Sequence, residues 1–198
     1  MAALTGVAAV GVGALQMIRS KQVSRADAHV SVVHEFGSWA DDLWARVCDR
    51  YALLARRDTS VLNIRYPKQD TRFVRLKLER AGSVVGWAIL LDTQMHAHKH
   101  FGDLRVGTIV DVFGDPADAR LIVQTAAAAL QDRGVDLIVS NQSHTVWCDA
   151  FRSSGFLEGP SNRIFAASPK LAESLQPFQE SKTAMHLTRG DAAGPIHL

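Results

Sequence analysis

The sequence predicts an α+β fold, a mixed and mostly antiparallel sheet with one strand–helix–strand parallel crossover. Two observations carry this reading. Val74, Leu76 and Leu78 alternate with Arg75, Lys77 and Glu79, and the turn Ala81-Gly82-Ser83 leads into a nearly continuous apolar run over residues 84–91. Alternation, a tight turn and a buried run together describe an antiparallel hairpin. Further on, a capped helix stands between two apolar strand-like stretches, and such a unit closes as a right-handed parallel crossover. A meander that feeds a single crossover is α+β, not doubly wound.

The elements follow in chain order. Residues 1–18 hold no charged side chain, and Arg19, Lys21 and Arg25 come after them. The run is just long enough to span a bilayer. It is rich in Ala, however, and Gly6, Gly11 and Gly13 lower its helix propensity. No basic residue precedes the apolar part, as a secretion signal would require. The stretch is read as a small-residue helix seeking a neighbouring surface, so residues 1–35 form an apolar helix and linker ahead of a domain over 36–198. From Ser38, the apolar residues Trp39, Leu43, Trp44, Val47 and Tyr51 recur at helical spacing over about five turns. Residues 61–66 read as a short strand stopped by Pro67. After the hairpin, a polar loop over 92–103 precedes a strand over 104–113. Asp115 is an N-cap with Pro116 at the first helical position; Leu121, Ile122, Ala126 and Leu130 supply a buried face, and Gly134 ends the helix. Residues 135–140 read as a strand buried on both faces, residues 145–153 as a short helix before Gly155, and 163–167 and 185–188 as late strands flanking a polar connection.

An apolar share of 47% with near-balanced charge excludes a disordered chain. Lys and Arg number 22 against 20 Asp and Glu, which lacks the clustered basic excess of a nucleic-acid binder. Cys48 and Cys148 form neither a disulfide framework nor a zinc spacing, so a reducing, cytoplasmic setting is expected.

Several residues could carry chemistry. His96, His98 and His100 would share one face of an extended segment, but nothing acidic or thiol-bearing is interleaved, so they are read as solvated loop histidines and no metal is assigned. Asp111, late in an apolar strand, is either a base in a cleft or the cap of the strand end. Asn141-Gln142-Ser143-His144 follows a parallel strand, where open sheets place ligands; His144 is a candidate proton acceptor, and Ser143 a candidate helix cap. Arg189-Gly190-Asp191 is read as a turn after the last strand, its match to an adhesion tripeptide being chance. Cys148 is read as a packed thiol.

Taken together, the order of elements and a series of short motifs resemble the GNAT acyltransferase superfamily. The motifs are Arg57-Asp58 with Leu62-Asn63-Ile64-Arg65-Tyr66-Pro67, Gly86-Trp87, Asp111-Val112-Phe113-Gly114-Asp115, Gly134-Val135-Asp136, Gly155-Phe156, and His186-Leu187-Thr188-Arg189-Gly190-Asp191. The likeness covers residues 39–195 and is nearest to the C-terminal lobe of bacterial two-lobed, Fem-like acetyltransferases of polysaccharide and peptidoglycan-precursor pathways. It implies acyl transfer from acetyl-CoA or another acyl-CoA to a small-molecule amine, with Asp111 or His144 as base. Phe113, Gly114, Ala117 and Arg120 would then face the cofactor. It also implies a second lobe, or a homodimer through the N-terminal helix, as partner. Two departures stand out. The superfamily's glycine-rich pyrophosphate loop is replaced by Gly114-Asp115-Pro116-Ala117-Asp118-Ala119-Arg120, whose two acids oppose an anion and whose proline lacks a donor. Phe151 stands where many relatives carry a proton-donating Tyr. The alternative is therefore a catalytically degenerate lobe that binds acceptor or packs on a partner.

Overall fold

A computed structural model describes residues 28–159 and 164–191; the apolar stretch 1–18, most of the expected linker and Arg163 lie outside them. Strands β1 (His29–Val33), β3 (Val74–Arg80), β4 (Ser83–Gln94), β5 (Arg105–Gly114) and β6 (Leu137–Ser140) make one sheet in the order β1-β3-β4-β5-β6. Each of its first four strands is antiparallel to its neighbour, and β6 joins β5 in parallel. A second pair, β2 (Leu53–Leu54) with β7 (Met185–His186), is parallel and two residues long. The expected mixed, mostly antiparallel sheet with its single crossover is therefore the fold observed. β1 lies in the stretch read from sequence as linker, and pairs His29 to Glu79 and Val33 to Arg75.

Helix α1 (Ser38–Val47) buries Ala40, Leu43 and Val47, and helix α3 (Ala119–Gln131) buries Ile122, Val123, Ala126 and Leu130. The two helices cover opposite faces of the sheet. On β4 and β5 the cross-strand pair Trp87–Phe113 meets Trp44 of α1, whereas the neighbouring pair Gly86–Gly114 lies under Ile122 of α3. A Cβ on Gly114 would stand 2.5 Å from the Val85 carbonyl oxygen and 2.6 Å from Ile122 Cδ1, so both positions exclude any side chain. Gly114 thus sets how closely α3 approaches the sheet.

Four expectations need correction. Residues 61–66 are not a strand: Thr59–Arg65 is helix α2, because Asp58 caps it by accepting from the Val61 N–H at 2.9 Å and Leu62 and Tyr66 face the core one turn apart. The first helix is shorter than five turns, ending at Val47 in a 3₁₀ turn, Cys48–Arg50. β6 is a half-exposed edge strand, with Leu137 38% exposed, because only β5 flanks it. Residues 164–167 are exposed and irregular, and the polar connection instead folds as α5 (Pro169–Ser174) and α6 (Phe178–Ser181). Between β6 and that segment, α4 (Thr145–Ser153) forms over the span the sequence predicts.

Candidate functional site

The site grows from a mismatch of strand lengths. β6 pairs with β5 only from Val106 to Ile109, so residues 110–114 of β5 run on with β4 alone beside them. Backbone groups on that vacated edge still require partners in a dry interior. Side chains supply them. The Tyr51 hydroxyl donates to the Gly114 carbonyl at 2.7 Å and accepts from Trp147 Nε1–H at 3.1 Å. His186 Nε2 lies 2.7 Å from the Val112 carbonyl oxygen. Since a carbonyl only accepts, Nε2 carries the hydrogen, and the buried Nδ1 has no hydrogen-bond partner among the described residues. His186 packs against Tyr51 and Trp147, tilted 33° to each ring, with centroids 5.0 and 5.5 Å away. Burial drives its pKa down to about 3, Arg57 acting in the same direction, so the ring is neutral.

His144 sits at the rim of this group, 5.2 Å from the Tyr51 ring. It is the N-cap of α4, its Nδ1 accepting from the Val146 N–H at 3.2 Å. That bond places the hydrogen of the neutral ring on Nε2, and burial lowers its pKa. The capping role foreseen for Ser143 belongs to His144; Ser143 Oγ instead donates to the Met185 carbonyl and accepts from the Leu187 N–H, tying β7 to the start of α4.

Asp111 projects from the same length of β5 into a second, charged cluster. It is fully buried; Arg57 Nη2 donates to its Oδ1 at 3.1 Å and the Tyr66 hydroxyl to its Oδ2 at 2.9 Å. Arg57, also fully buried, donates through Nη1 to the Ala55 carbonyl at 2.8 Å and through Nη2 to Asp191 Oδ2 at 2.5 Å. Arg65 Nη1 reaches Asp191 Oδ1 at 2.7 Å. Burial raises the Asp111 pKa against the pull of Arg57. On Asp191 burial acts upward too, but Arg57 and the Thr188 N–H outweigh it and hold the carboxyl below its ordinary value. For Arg57, burial opposes the charge and the two carboxylates more than restore it. Gly190 packs so closely on Tyr66 and Asp111 that a Cβ there would overlap the Tyr66 hydroxyl. Arg57, Tyr51, His186 and Asp191 were not singled out as site residues from the sequence. The signals were Arg57-Asp58 and the polar His186 inside an apolar strand, while Asp191 was hidden in a tripeptide read as a turn.

The residues expected to face a cofactor lie along one path from β5 into α3. Phe113 is fully buried between Trp44, Tyr51 and Trp87. Gly114 packs under Ile122, Ala117 is exposed with its N–H given to Asp115 Oδ1 at 2.9 Å, and Arg120 stands half-buried in the first turn of α3. The acids are not bare. Asp118 pairs with Arg80 at 2.7 Å, and Arg50 stands 4.0 Å from Asp115. Arginines from β3 and from the 3₁₀ turn after α1 thus stand near both acids. The histidines of the β4–β5 loop stand apart: His98 stacks on Phe101 and its Nδ1 faces the N–H groups of His100 and Phe101. Among the described residues no group of three or more His, Cys, Asp or Glu side chains could hold a metal ion, and no helix is long and apolar enough to cross a membrane.

Comparison with known structures identifies the fold as that of GNAT N-acetyltransferases. An aminoglycoside acetyltransferase, meta-AAC0020, from an uncultured soil metagenomic sample superposes with a TM-score of 0.50 at 10% identity, covering 73% of this chain and 99% of its own. AAC(6')-Iy in complex with a CoA-S-monomethyl-acetylneamine bisubstrate analogue superposes with a TM-score of 0.50 at 11% identity, covering 71% of this chain and 98% of its own. No family model matches the sequence, and no curated protein matches it.

Proposed function

We propose that the chain serves acyl transfer to an amine as one lobe of a two-lobed, Fem-like GNAT N-acyltransferase. In this reading it shapes the acceptor site or packs on the second lobe, and the partner lobe holds the acyl-CoA. The observation behind this is the closed edge of β5: Tyr51 and His186 occupy the carbonyls of Gly114 and Val112, and Trp147 fills the space beside them. A free strand edge could receive an extended amide-bearing arm; here the chain's own side chains satisfy it. The start of α3 agrees, since Asp115 spends its carboxylate on the Ala117 N–H that an anion would need. Asp111 in this reading holds the core together, both its oxygens being engaged. The acceptor would be a small amine on a sugar or peptidoglycan precursor, in a cytoplasmic setting consistent with the free thiols of Cys48 and Cys148.

A second reading, in which this chain itself binds acetyl-CoA or another acyl-CoA, draws on the arginines around the start of α3. There Phe113, Gly114, Ala117 and Arg120 would face the cofactor, and His144 or Asp111 would take the amine proton. Thermal denaturation of the chain with acetyl-CoA separates the two. No shift at about 1 mM is expected for the first reading, whereas ligand at a hundred times its dissociation constant would stabilise by about 2.7 kcal/mol and favour the second.

A further inference from the structure

Asp191 is held as a ligand would be. Its carboxylate receives Arg57 Nη2 at 2.5 Å, Arg65 Nη1 at 2.7 Å, the Thr188 N–H at 2.9 Å and the Thr188 hydroxyl at 3.2 Å. Two of these donors lie at residues 57–65, more than a hundred positions away, on backbone that is anchored without Asp191. Arg57 is anchored by the Ala55 carbonyl and Asp111, and Arg65 belongs to α2, whose Asn63 exchanges two hydrogen bonds at 2.9 Å with the backbone of Phe36. Charge adds a second argument. Two guanidinium groups meet two carboxylates, Asp111 and Asp191, so the cluster is neutral only while a carboxylate fills the Asp191 position. The position also has a route to solvent, because the Arg65 side chain is 23% exposed while that of Arg57 is 0%.

We propose that Arg57 and Arg65 form a carboxylate-binding clamp, which the chain fills with its own Asp191 to latch the turn Arg189–Asp191 onto β5. The clamp takes a free small carboxylate when the Asp191 side chain is removed. Planar guanidinium groups match a carboxylate's two oxygens in geometry as well as charge, which makes the selectivity carboxylate over chloride.

The test is chemical rescue of the whole chain. Asp191→Ala should lower Tm by about 10 °C, as expected when two neighbouring guanidinium groups, one of them fully buried, lose one of the two carboxylates that balance them. Sodium acetate or formate at about 100 mM should then restore a large part of that loss in a saturable way, while sodium chloride at equal ionic strength should not. Asp191→Asn, which fills the space without the charge, should be destabilised and gain no more from acetate than from chloride. Asp191→Ala combined with Arg65→Met should lose the acetate response. An Asp191→Ala chain that folds only in acetate or formate supports the clamp equally well. The proposal is overturned if Asp191→Ala melts like the unsubstituted chain, if chloride rescues as well as acetate, or if rescue survives the loss of Arg65.

Discussion

Two groups of aspartate–arginine pairs, one buried on the second half of β5 and one just beyond its end, do different work. At the start of α3, Asp118 meets Arg80, and Asp115 lies near Arg50, with the arginine side chains 45% and 65% exposed. Four residues upstream of Asp115, Asp111 meets Arg57 with neither side chain exposed at all. Water screens the first group, and a pair of that kind contributes at most about 1 kcal/mol. The second group has lost its water, so its members need one another whatever the net worth of the cluster. Burial, not residue type, separates a solvated surface from a structural keystone.

The largest effect should come from the buried side. Arg57→Met leaves Asp111 and Asp191 sharing one end of the core without the guanidinium between them, and removes donors to the Ala55 carbonyl and the Thr188 hydroxyl. Urea unfolding should show a loss of about 3–5 kcal/mol. Adding Asp111→Leu should recover part of it, since a stranded carboxylate costs more than an absent pair. A loss under about 1 kcal/mol would place this cluster in the same regime as the exposed pairs and erase the contrast.

His186 gives a smaller, pH-dependent signature. Its folded pKa of about 3 lies below the ordinary value of about 6.5, so the unfolded chain takes up the proton first as pH falls. The stability this group contributes is full above about pH 6.5 and declines as pH drops toward 3; at pH 5 the loss is about 2 kcal/mol. His144, lowered by burial, acts in the same direction, whereas Asp111, raised by burial, opposes it. Comparing the unsubstituted chain with His186→Gln isolates the ring, because glutamine can donate to the Val112 carbonyl and does not titrate. Urea unfolding at pH 7.5 and pH 5 should show a shallower fall for the variant. Equal falls in the two proteins would mean that the ring is not buried neutral.

The sequence made one of these regions far more legible than the other. Local signals are written in neighbouring residues: the alternation over Val74–Glu79, the cap at Asp115 and Pro116, the stop at Gly134 and the span of α4 all fold as read. α2 was misread because Val61, Ile64 and Tyr66 favour strands, and the deciding Asp58 cap is a single side-chain contact that outweighs a weak propensity. The buried cluster was illegible for a different reason. Arg57 meets Asp111 across 54 positions and Asp191 across 134, and no periodicity connects residues so far apart. Asp111 was singled out for standing among apolar neighbours, which is what burial of a charge looks like from sequence. Its partners became visible only when the sheet brought β5, α2 and the last turn together. The acids at α3 were legible as residues but not as pairs, since Arg50 and Arg80 arrive from other elements.

The smallest effect belongs to that exposed end. Asp118→Asn removes the charge facing Arg80 while keeping the side chain's size, and its own side chain is only 12% exposed, which makes it the most demanding surface case on the molecule's α3 side. The Asp118 backbone N–H continues to donate to the Asp115 carbonyl, so the helix start is preserved. The expected loss is below about 1 kcal/mol, a Tm change of no more than about 4 °C. In about 1 M salt, where the Debye length is about 3 Å, the difference between variant and unsubstituted chain should shrink further, whereas that for Arg57→Met should persist because ions do not reach it. A loss above about 2 kcal/mol at Asp118, or a salt-insensitive one, would show that partial cover by Arg80 already suffices to desolvate the pair, and the boundary between the two regimes would then lie closer to the surface than the fully buried Arg57 suggests.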